Sequence, residues 1–581
     1  MTRHASALLI AVLMSCSVLP GAEPPRELRL HAIYVTNQDR PPRPDHQGRL
    51  HRIMVDVQAF YRDEMERNEY GPMTFPLDQD EKGRVRTHLV KLPWDFDPKT
   101  PFRTRRMTPE IAKVLKADGL DADRTYYIVF QNGYWLDGKT WRYDIPYTGS
   151  GDSRRGKTWA ADHEWLDPKN FLAKGTERMD DRGQKLTRPQ FNTKMIGGVA
   201  HELGHGLGLP HNREEPDELR RLGNALMGAG NYTYRRELHS KRKGAFLTQA
   251  HAFALSLHPL FKHERAEDLT VPACGLEDLR FEHVLGKLLV SGRVSPAKGV
   301  AGMVFYHDKL PTGVNKDYDA WPYHAPVDAE GRFVQAVDLP GAGEYALHVI
   351  AYFRNGMKRK WSFTHEITGE MKPGLAALRR DGLWGELIAA WDRKDTALVQ
   401  QHAEQVTAQW PERKEQVARF VALAKAWDSF PLPALVPEAT KQISLSGTRW
   451  QAASVAWYIP SFDGILTPDA SSYEPLQSTA KVHSHGLYAH AEASYAYELG
   501  GKWKTFAAQV GLQKGHAGSV VFVVVGDGKE LARTPLLKLA DGEREIKADV
   551  TGINQLELKA ESGPDGRSND WAIWFSPTLG R

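Results

Sequence analysis

The chain has 581 residues, which is too long for one hydrophobic core and predicts about three or four domains. Apolar residues make up 41% and charged residues 25% of the sequence, proportions that are ordinary for folded protein and exclude wholesale disorder. The formal net charge is only +4, so the chain lacks the basic field that nucleic-acid binding requires. We therefore expect no nucleic-acid partner.

The first 22 residues have the pattern of an export signal. Arg3 supplies a positive charge, residues 5–19 are almost wholly apolar, and small residues follow. This run is too short to span a bilayer, and no later stretch approaches about 18 uninterrupted apolar residues, so we expect no transmembrane segment. The pattern predicts a signal peptide over residues 1–22 and a secreted, periplasmic or extracellular protein. The alternative is a lipid anchor through Cys16, because the residues before it loosely resemble a lipobox.

Residues 26–262 alternate between strand-like and helix-like patterns and predict one α/β (α+β) domain. Residues 49–68 have apolar positions at helical spacing, and residues 124–130 form a compact apolar strand pattern that stops at Asn-Gly. The segment 150–190 is polar and Gly-rich and predicts mostly loop. Within it, residues 155–162 are our candidate for an edge strand that binds substrate.

The rest of the chain changes pattern three times. Residues 270–368 have short segments of period two and predict a β-sandwich of the immunoglobulin or fibronectin type. Residues 371–430 return to helical spacing and predict a short helical spacer. A proline-bearing linker at 430–437 leads to a second β-rich module over 440–581, which we expect to be a C-terminal β-sandwich. The predicted architecture is therefore multidomain.

One segment carries a motif with specific chemistry: residues 201–211 read HELGHGLGLPH. Residues four apart lie on one face of a helix, so His201 and His205 can reach one metal ion. Gly208 can end the helix in a left-handed conformation and allow His211 to become a third nitrogen ligand. Three protein ligands leave a fourth position for water, as in catalytic zinc sites. Glu202 then lies beside that water as the general base for amide hydrolysis.

The same spacing also occurs by chance in helices where it forms only a charged, solvated face. Here the neighbouring helical positions are apolar, among them Met195, Val199 and Leu203. Unpaired charge next to a buried surface is costly, and a bound metal removes that cost. The pattern therefore favours one Zn²⁺ per chain.

The segment resembles the HExxHxxGxxH signature of the metzincin metallopeptidases, without departure at any fixed position. Residues 224–230 resemble the methionine turn of that family, with Met227 as its methionine. The resemblance implies a metzincin-like catalytic domain over 26–262, with the three histidines as zinc ligands and Glu202 as the base. It implies a zinc metalloendopeptidase.

The sequence departs from some metzincins after the methionine. Those proteins place a tyrosine two residues later, where this chain has Ala229. Tyr232 and Tyr234 are near and are our candidates for stabilising the oxyanion. The alternative is that both rings only pack in the core.

The C-terminal module resembles the NPCBM type of carbohydrate-binding domain. The resemblance lies in residues 486–491, 497–503 and 518–528 and in Asn569-Asp570-Trp571. It implies a β-sandwich and a possible glycan ligand. The candidates for stacking on sugar rings, if exposed, are Trp503, Trp571 and Trp574. The alternative is that they fill the interior of the sandwich.

These observations predict an exported zinc metallopeptidase that acts on a protein or glycoprotein substrate. One alternative is a glycan-binding or adhesion protein whose peptidase domain is vestigial, although an intact ligand set with Glu202 argues against decay. A glycoside hydrolase would need two positioned carboxylates, and no acidic pair in the sequence has a defensible pattern.

Overall fold

The computed structural model of the protein describes residues 28–99, 104–143, 147–266, 268–272, 274–310, 317–466 and 473–581. The predicted signal peptide at 1–22, and with it Cys16, lies outside the described residues. Within the described ranges, no helix is both long and apolar enough to cross a membrane.

The first unit is built on a five-stranded sheet and also contains two smaller sheets. The strands of the whole unit are β1 (Leu30–Asn37), β2 (Thr87–Leu92), β3 (Tyr126–Gln131), β4 (Trp135–Asp137), β5 (Thr140–Arg142), β6 (Thr148–Gly151), β7 (Gly156–Ala161), β8 (Arg178–Asp181), β9 (Gln184–Thr187), β10 (Asn224–Ala225) and β11 (Ala245–Phe246). Its helices are α1 (His46–Arg67), α2 (Thr104–Ala117), α3 (Arg188–Gly206), α4 (Pro216–Arg221), α5 (Gln249–Ser256) and α6 (Pro259–Lys262). The sheet order is β2-β1-β3-β7-β6, in which only β6 runs antiparallel.

Helices cover both faces of this sheet, which explains why β1 and β3 are buried along their whole length. On one face, Ala32 and Tyr34 of β1 belong to the core that contains α1, α3 and α5. On the other face, Ile33 and Val35 pack against the buried side of α2. Successive side chains of a strand point to opposite faces, so β1 contributes to two separate cores.

The sequence prediction for residues 150–190 was wrong. The segment contains β7, β8 and β9 rather than mostly loop, and β4, β5, β8 and β9 form a small second sheet. These strands are only four to six residues long and carry glycines and charged side chains, so they lack a clear period-two pattern. The candidate edge strand at 155–162 is also corrected: it is β7, which has β6 outside it.

The second unit consists of two antiparallel sheets that share one hydrophobic core. Its strands are β12 (Gly275–Val284), β13 (Lys287–Ser295), β14 (Val300–Lys309), β15 (Trp321–Ala325), β16 (Arg332–Asp338), β17 (Gly343–Phe353) and β18 (Lys358–Ile367). They form sheets of order β12-β13-β16 and β15-β14-β17-β18. The outer face of the second sheet packs on the first unit, because Tyr306, Ile350 and Tyr352 belong to the core of that unit. The two units therefore share a hydrophobic contact.

Three helices follow: α7 (Leu375–Asp392), α8 (Thr396–Gln409) and α9 (Lys414–Ser429). Leu378, near the start of α7, packs in the sandwich core, whereas Trp391 and Trp427 pack in the same core as the C-terminal module. The proline-bearing segment 430–437 lies between elements that share this core, and Phe430 itself contacts Phe462. The three helices therefore pack against both the sandwich of the second unit and the C-terminal module.

The C-terminal module consists of two antiparallel sheets that pack face to face. Its strands are β19 (Gln442–Ser444), β20 (Ala452–Ser454), β21 (Ser461–Phe462), β22 (Ile465–Leu466), β23 (Tyr473–Glu474), β24 (Leu476–Gln477), β25 (Val482–His483), β26 (Gly486–Tyr488), β27 (Ala493–Glu498), β28 (Thr505–Leu512), β29 (Ser519–Gly526), β30 (Lys529–Arg533), β31 (Leu537–Lys538), β32 (Arg544–Asp549), β33 (Gln555–Ser562) and β34 (Ala572–Gly580). The sheets have the orders β21-β26-β34-β28-β32 and β20-β27-β33-β29-β30. The chain is therefore a multidomain protein made mostly of β-sheet.

Candidate metal centre and active site

Helix α3 carries the motif and begins with a capping box. The side chain of Thr187 accepts a hydrogen bond from the backbone of Gln190, whose own side chain accepts one from the backbone of Thr187. The helix ends at Gly206, and Gly208 has a φ of +80°, the left-handed conformation that reverses the chain. This reversal returns His211 to the helix, so that ligand atoms of His201, His205 and His211 lie within 4.8 Å of one another.

Backbone carbonyls fix the orientation of two of the three imidazoles. Nδ1 of His201 donates to the carbonyl of Leu226 at 2.7 Å, and Nδ1 of His205 donates to that of Leu209 at 2.8 Å. With the proton on Nδ1, each ring presents the lone pair of Nε2 to the centre of the cluster. Nε2 of His205 lies 2.9 Å from Nε2 of His211.

This donor set fits a zinc ion. Burial and the neighbouring His205 lower the pKa of His201 to about 3, which keeps its imidazole in the neutral form that ligates metals. Nitrogen lone pairs that converge at short distance repel one another, and a shared cation removes the repulsion. His201, His205 and His211 would hold such an ion.

Glu202 lies beside this cluster on the side of the edge strand β6. Burial raises the pKa of its carboxyl to about 7, although a hydrogen bond from the backbone N–H of Gly149 opposes the shift. Strand β6 lies directly on α3, because a Cβ at Gly149 would collide with the backbone carbonyl of Glu202. A glycine at this position therefore permits the contact that orients the carboxylate.

The segment around Met227 contacts the clustered histidines and the helix that carries them. Leu226 supplies the carbonyl that orients His201, and the side chain of Met227 is fully buried. Its sulfur lies so close to α3 that a Cβ at Gly204 would collide with it. The methionine thus packs against the helix between the first and second histidines.

The two tyrosine candidates lie in different environments. Tyr234 is fully buried, and its hydroxyl donates to a carboxylate oxygen of Asp56 on α1 at 2.7 Å. Tyr234 is therefore a core residue whose hydroxyl is already hydrogen-bonded, which corrects the prediction that it could stabilise an oxyanion. Tyr232 is 62% exposed and lines an open cleft of about 460 Å³ next to the N-terminal half of α3. Its role at the oxyanion stays a prediction.

The cleft is lined by charged, polar and aromatic side chains. It is lined by Tyr143, Asp181, Arg182, Gly183, Gln184, Lys194 and Tyr232. Asp181 is fully buried, and one of its oxygens binds Lys194 at 3.0 Å. The other oxygen, Oδ1, is buried without a hydrogen-bond partner among the described residues. A ligand that donates a hydrogen bond would satisfy it.

The second unit contributes residues that the sequence analysis missed. The ring of Tyr318 stacks on His211 with 3.8 Å between the ring centroids and lies 6.4 Å from that of His201. Nζ of Lys358 donates to the carbonyl of Gly208 at 2.9 Å. Neither residue is near the motif in sequence, so only the packing of the sandwich on the first unit reveals them.

The three tryptophans proposed to stack on sugars are not available for it. Trp503 and Trp574 are fully buried. Trp571 is 8% exposed, and the ring of His516 stacks on its face with 3.9 Å between the ring centroids. The sandwich interior uses these large rings as core, which corrects the carbohydrate-binding assignment. An exposed aromatic side chain of the module is Trp457, which is 57% exposed.

Residues 441–580 match the NPCBM/NEW2 domain family. This match supports the resemblance read from the sequence of the C-terminal module and its classification among carbohydrate-binding modules.

Two solved structures resemble a larger part of the chain. Wild-type OgpA from Akkermansia muciniphila is 27% identical, with a TM-score of 0.50 over 60% of this chain and 96% of that chain. Catalytically inactive OgpA from the same organism, in complex with an O-glycopeptide (glycodrosocin) substrate, is 26% identical with the same coverage and TM-score.

A curated protein of Renibacterium salmoninarum, named "Putative endo-alpha-N-acetylgalactosaminidase", is 29% identical over 102 residues. The match spans 17% of this chain and only 7% of that protein.

Proposed function

We propose that the protein is an exported, metzincin-like zinc metallopeptidase that cleaves the peptide backbone of O-glycosylated proteins. The observation that carries the proposal is the convergence of His201, His205 and His211 beside the partly buried carboxylate of Glu202. The likeness to OgpA, whose inactive form was solved with an O-glycopeptide substrate, supports the choice of substrate. The predicted signal peptide supports export.

In the proposed mechanism, His201, His205 and His211 hold one zinc ion. The chemistry that a bound zinc ion supplies is polarisation of the scissile carbonyl and acidification of the attacking water. Glu202 removes a proton from that water as it attacks and then delivers the proton to the leaving nitrogen. The N–H of Gly149 keeps the carboxylate oriented through both transfers.

The edge strand β6 is our candidate for binding the substrate backbone. One side of β6 pairs with β7, and its other side ends the sheet within the described residues. An extended peptide can add to such an edge through main-chain hydrogen bonds. Because β6 lies directly beside Glu202, this pairing would bring a peptide bond to the base.

The open cleft beside α3 is our candidate for the sugar of the substrate. Rings such as Tyr143 and Tyr232 suit the apolar faces of a sugar, while Arg182 and Lys194 offer hydrogen-bond donors. The unsatisfied oxygen of Asp181 is a matching acceptor for a sugar hydroxyl. The C-terminal module would add a second glycan contact that increases local concentration.

The second candidate function is glycan binding without catalysis, which the match of residues 441–580 to a carbohydrate-binding family favours. The two functions make different predictions for a peptide that carries a single O-linked N-acetylgalactosamine. A peptidase yields two peptide fragments, whereas a glycan-binding protein leaves the glycopeptide intact.

The test incubates the full chain, supplied with zinc, with this glycopeptide and with the same peptide lacking the sugar, and identifies products by mass spectrometry. We expect fragments from the glycopeptide, fewer from the bare peptide, and none from either with Glu202→Gln. The control Glu164→Gln changes an exposed carboxylate of the same unit and should cleave normally. Release of free sugar from an intact peptide would contradict the proposal and favour glycoside hydrolysis.

A further inference from the structure

A second cluster of metal-binding side chains lies at the amino end of β1 and β2. It consists of His31, Asp78 and His88, all three of which are buried. Nδ1 of His31 lies 3.2 Å from Oδ2 of Asp78, and Nε2 of His88 lies 3.3 Å from the same oxygen. The two nitrogens are 3.4 Å apart. The three atoms therefore form a nearly equilateral triangle.

The size of this triangle matches the coordination shell of zinc. Ligand atoms at about 2.0–2.1 Å from a tetrahedral zinc ion lie about 3.3–3.4 Å from one another. Two imidazole nitrogens and one carboxylate oxygen are also a donor set that zinc prefers. Each edge of the triangle is within about 0.2 Å of the expected separation, the tolerance that a metal site requires.

The environment of His88 strengthens this assignment. Its Nδ1 donates to Oδ2 of Asp118, which follows α2, at 2.6 Å. This contact is the carboxylate–histidine arrangement that orients metal-ligating imidazoles. With its proton on Nδ1, His88 has the lone pair of Nε2 free to ligate a cation that the carboxylate of Asp78 also contacts.

The backbone holds the three residues in place before any ion binds. The register of the parallel β1–β2 pair sets Ile33 opposite His88, so the side chains of His31 and His88 project from the same face of the sheet. The N–H of Asp78 donates to the carbonyl of Leu30, and the carbonyl of Asp78 accepts from Arg86. A prearranged set of donors lowers the cost of ordering the site.

This cluster is separate from the one on α3. His31 and His88 project from the sheet face that packs on α2, whereas α3 packs on the opposite face. An ion at this position would join β1, β2 and the segment before β2, which are distant in sequence. It would therefore stabilise the fold and take no part in catalysis.

We propose that His31, Asp78 and His88 form a second divalent-metal site, with a donor set suited to zinc, that stabilises the amino end of the sheet. Three protein donors leave the fourth position to water. The full chain thus binds two zinc ions rather than the one predicted from the sequence. The second site does not depend on the proposed function, because its three ligands are separate from those of the α3 cluster, whereas the total of two zinc ions requires that the α3 cluster binds one as well.

The test measures zinc per chain by mass spectrometry after saturation with zinc and removal of unbound ions. We expect two zinc ions in the unaltered protein and one in His88→Gln, whose amide can donate a hydrogen bond to Asp78 but binds zinc poorly. His31→Asn should also bind one. The control His263→Asn changes an exposed histidine of the same unit and should bind two. Both His31→Asn and His88→Gln should cleave substrate within about threefold of the unaltered rate, since the chemistry lies on the other face.

A second measurement covers the case in which these variants fail to fold. His205→Ala removes a ligand of the α3 cluster and leaves the second cluster intact. In this variant, Co²⁺ should give the visible absorption of a nitrogen- and oxygen-ligated ion, and added zinc should raise the Tm. A zinc content of folded His88→Gln equal to that of the unaltered protein, or no cobalt spectrum in a folded His205→Ala, would each overturn the proposal.

Discussion

The two histidine clusters of the first unit lie on opposite faces of one sheet and are built in different ways. His201, His205 and His211 belong to α3 and the turn that follows it. His31 and His88 meet only when β1 pairs with β2, and their carboxylate partner lies 47 residues from His31. A cluster carried by one helix can be altered without changing the sheet, whereas a cluster that joins distant strands contributes to folding. We therefore expect changes at the first to affect chemistry and changes at the second to affect stability.

The largest effect tests the chemical side of this comparison. Glu202→Ala should lower turnover of an O-glycopeptide by about 10²–10⁴-fold, the range typical of proton transfer by a positioned side chain. It should retain both zinc ions and a Tm close to that of the unaltered protein, because it removes no metal ligand. Initial rates and thermal denaturation measure the two quantities. Turnover within about threefold of the unaltered rate would mean that Glu202 is not the base.

A second change should affect both the stability of the fold and the metal-binding histidines of α3. Gly204→Ala introduces a methyl group that collides with the buried sulfur of Met227, so it should destabilise the fold by about 1–3 kcal/mol and displace the histidines of α3. Denaturant unfolding and zinc content measure these effects. The control is Gly385→Ala on α7, where a Cβ meets nothing within 4 Å and the substitution should be neutral or stabilising. Equal stability of the two variants would contradict the close contact.

A third change tests whether zinc bound at the second cluster stabilises the fold. Asp118→Asn weakens the acceptor for Nδ1 of His88 and should lower the zinc affinity of the second cluster by about 10–100-fold, as is typical for partners of metal ligands. Competition with a chelator measures the affinity, and the Tm should fall only when zinc is limiting. The affinity of the α3 cluster should not change. If both zinc ions leave together, the clusters are coupled and the comparison fails.

The sequence was informative where ligands and periodicity are local. The spacing of His201, Glu202 and His205 on a helix, and the chain reversal at Gly208, follow from helix geometry and glycine chemistry. The second cluster could not be predicted in this way, because its residues share no periodicity and meet only through strand register. Trp503 failed as a sugar-binding candidate for a related reason: composition does not tell whether a large ring faces water or the interior.

The boundaries between units show the same limit: the sequence predicts local features but not contacts between residues that are distant in sequence. Prolines at 431, 433 and 437 predict a linker, yet packing joins Phe430 to Phe462 across that segment. A change of sequence pattern locates the ends of secondary-structure elements. It does not reveal whether the elements on either side share a core.

The smallest expected effect tests whether the second unit takes part in the chemistry. Tyr318→Ala removes the ring that stacks on His211 and should lower kcat/KM by about two- to twelvefold, since an aromatic contact of this kind contributes about 0.5–1.5 kcal/mol. Tyr318→Phe keeps the ring and should stay within about threefold if stacking is its main role. The control Leu285→Ala changes a residue of the same sandwich that is 98% exposed and should leave the rate unchanged. If Tyr318→Phe is as slow as Tyr318→Ala, the hydroxyl rather than the ring acts on the reaction, and the sandwich supplies a catalytic group. If neither variant is slower than the control, the α3 cluster performs its chemistry without help from the second unit.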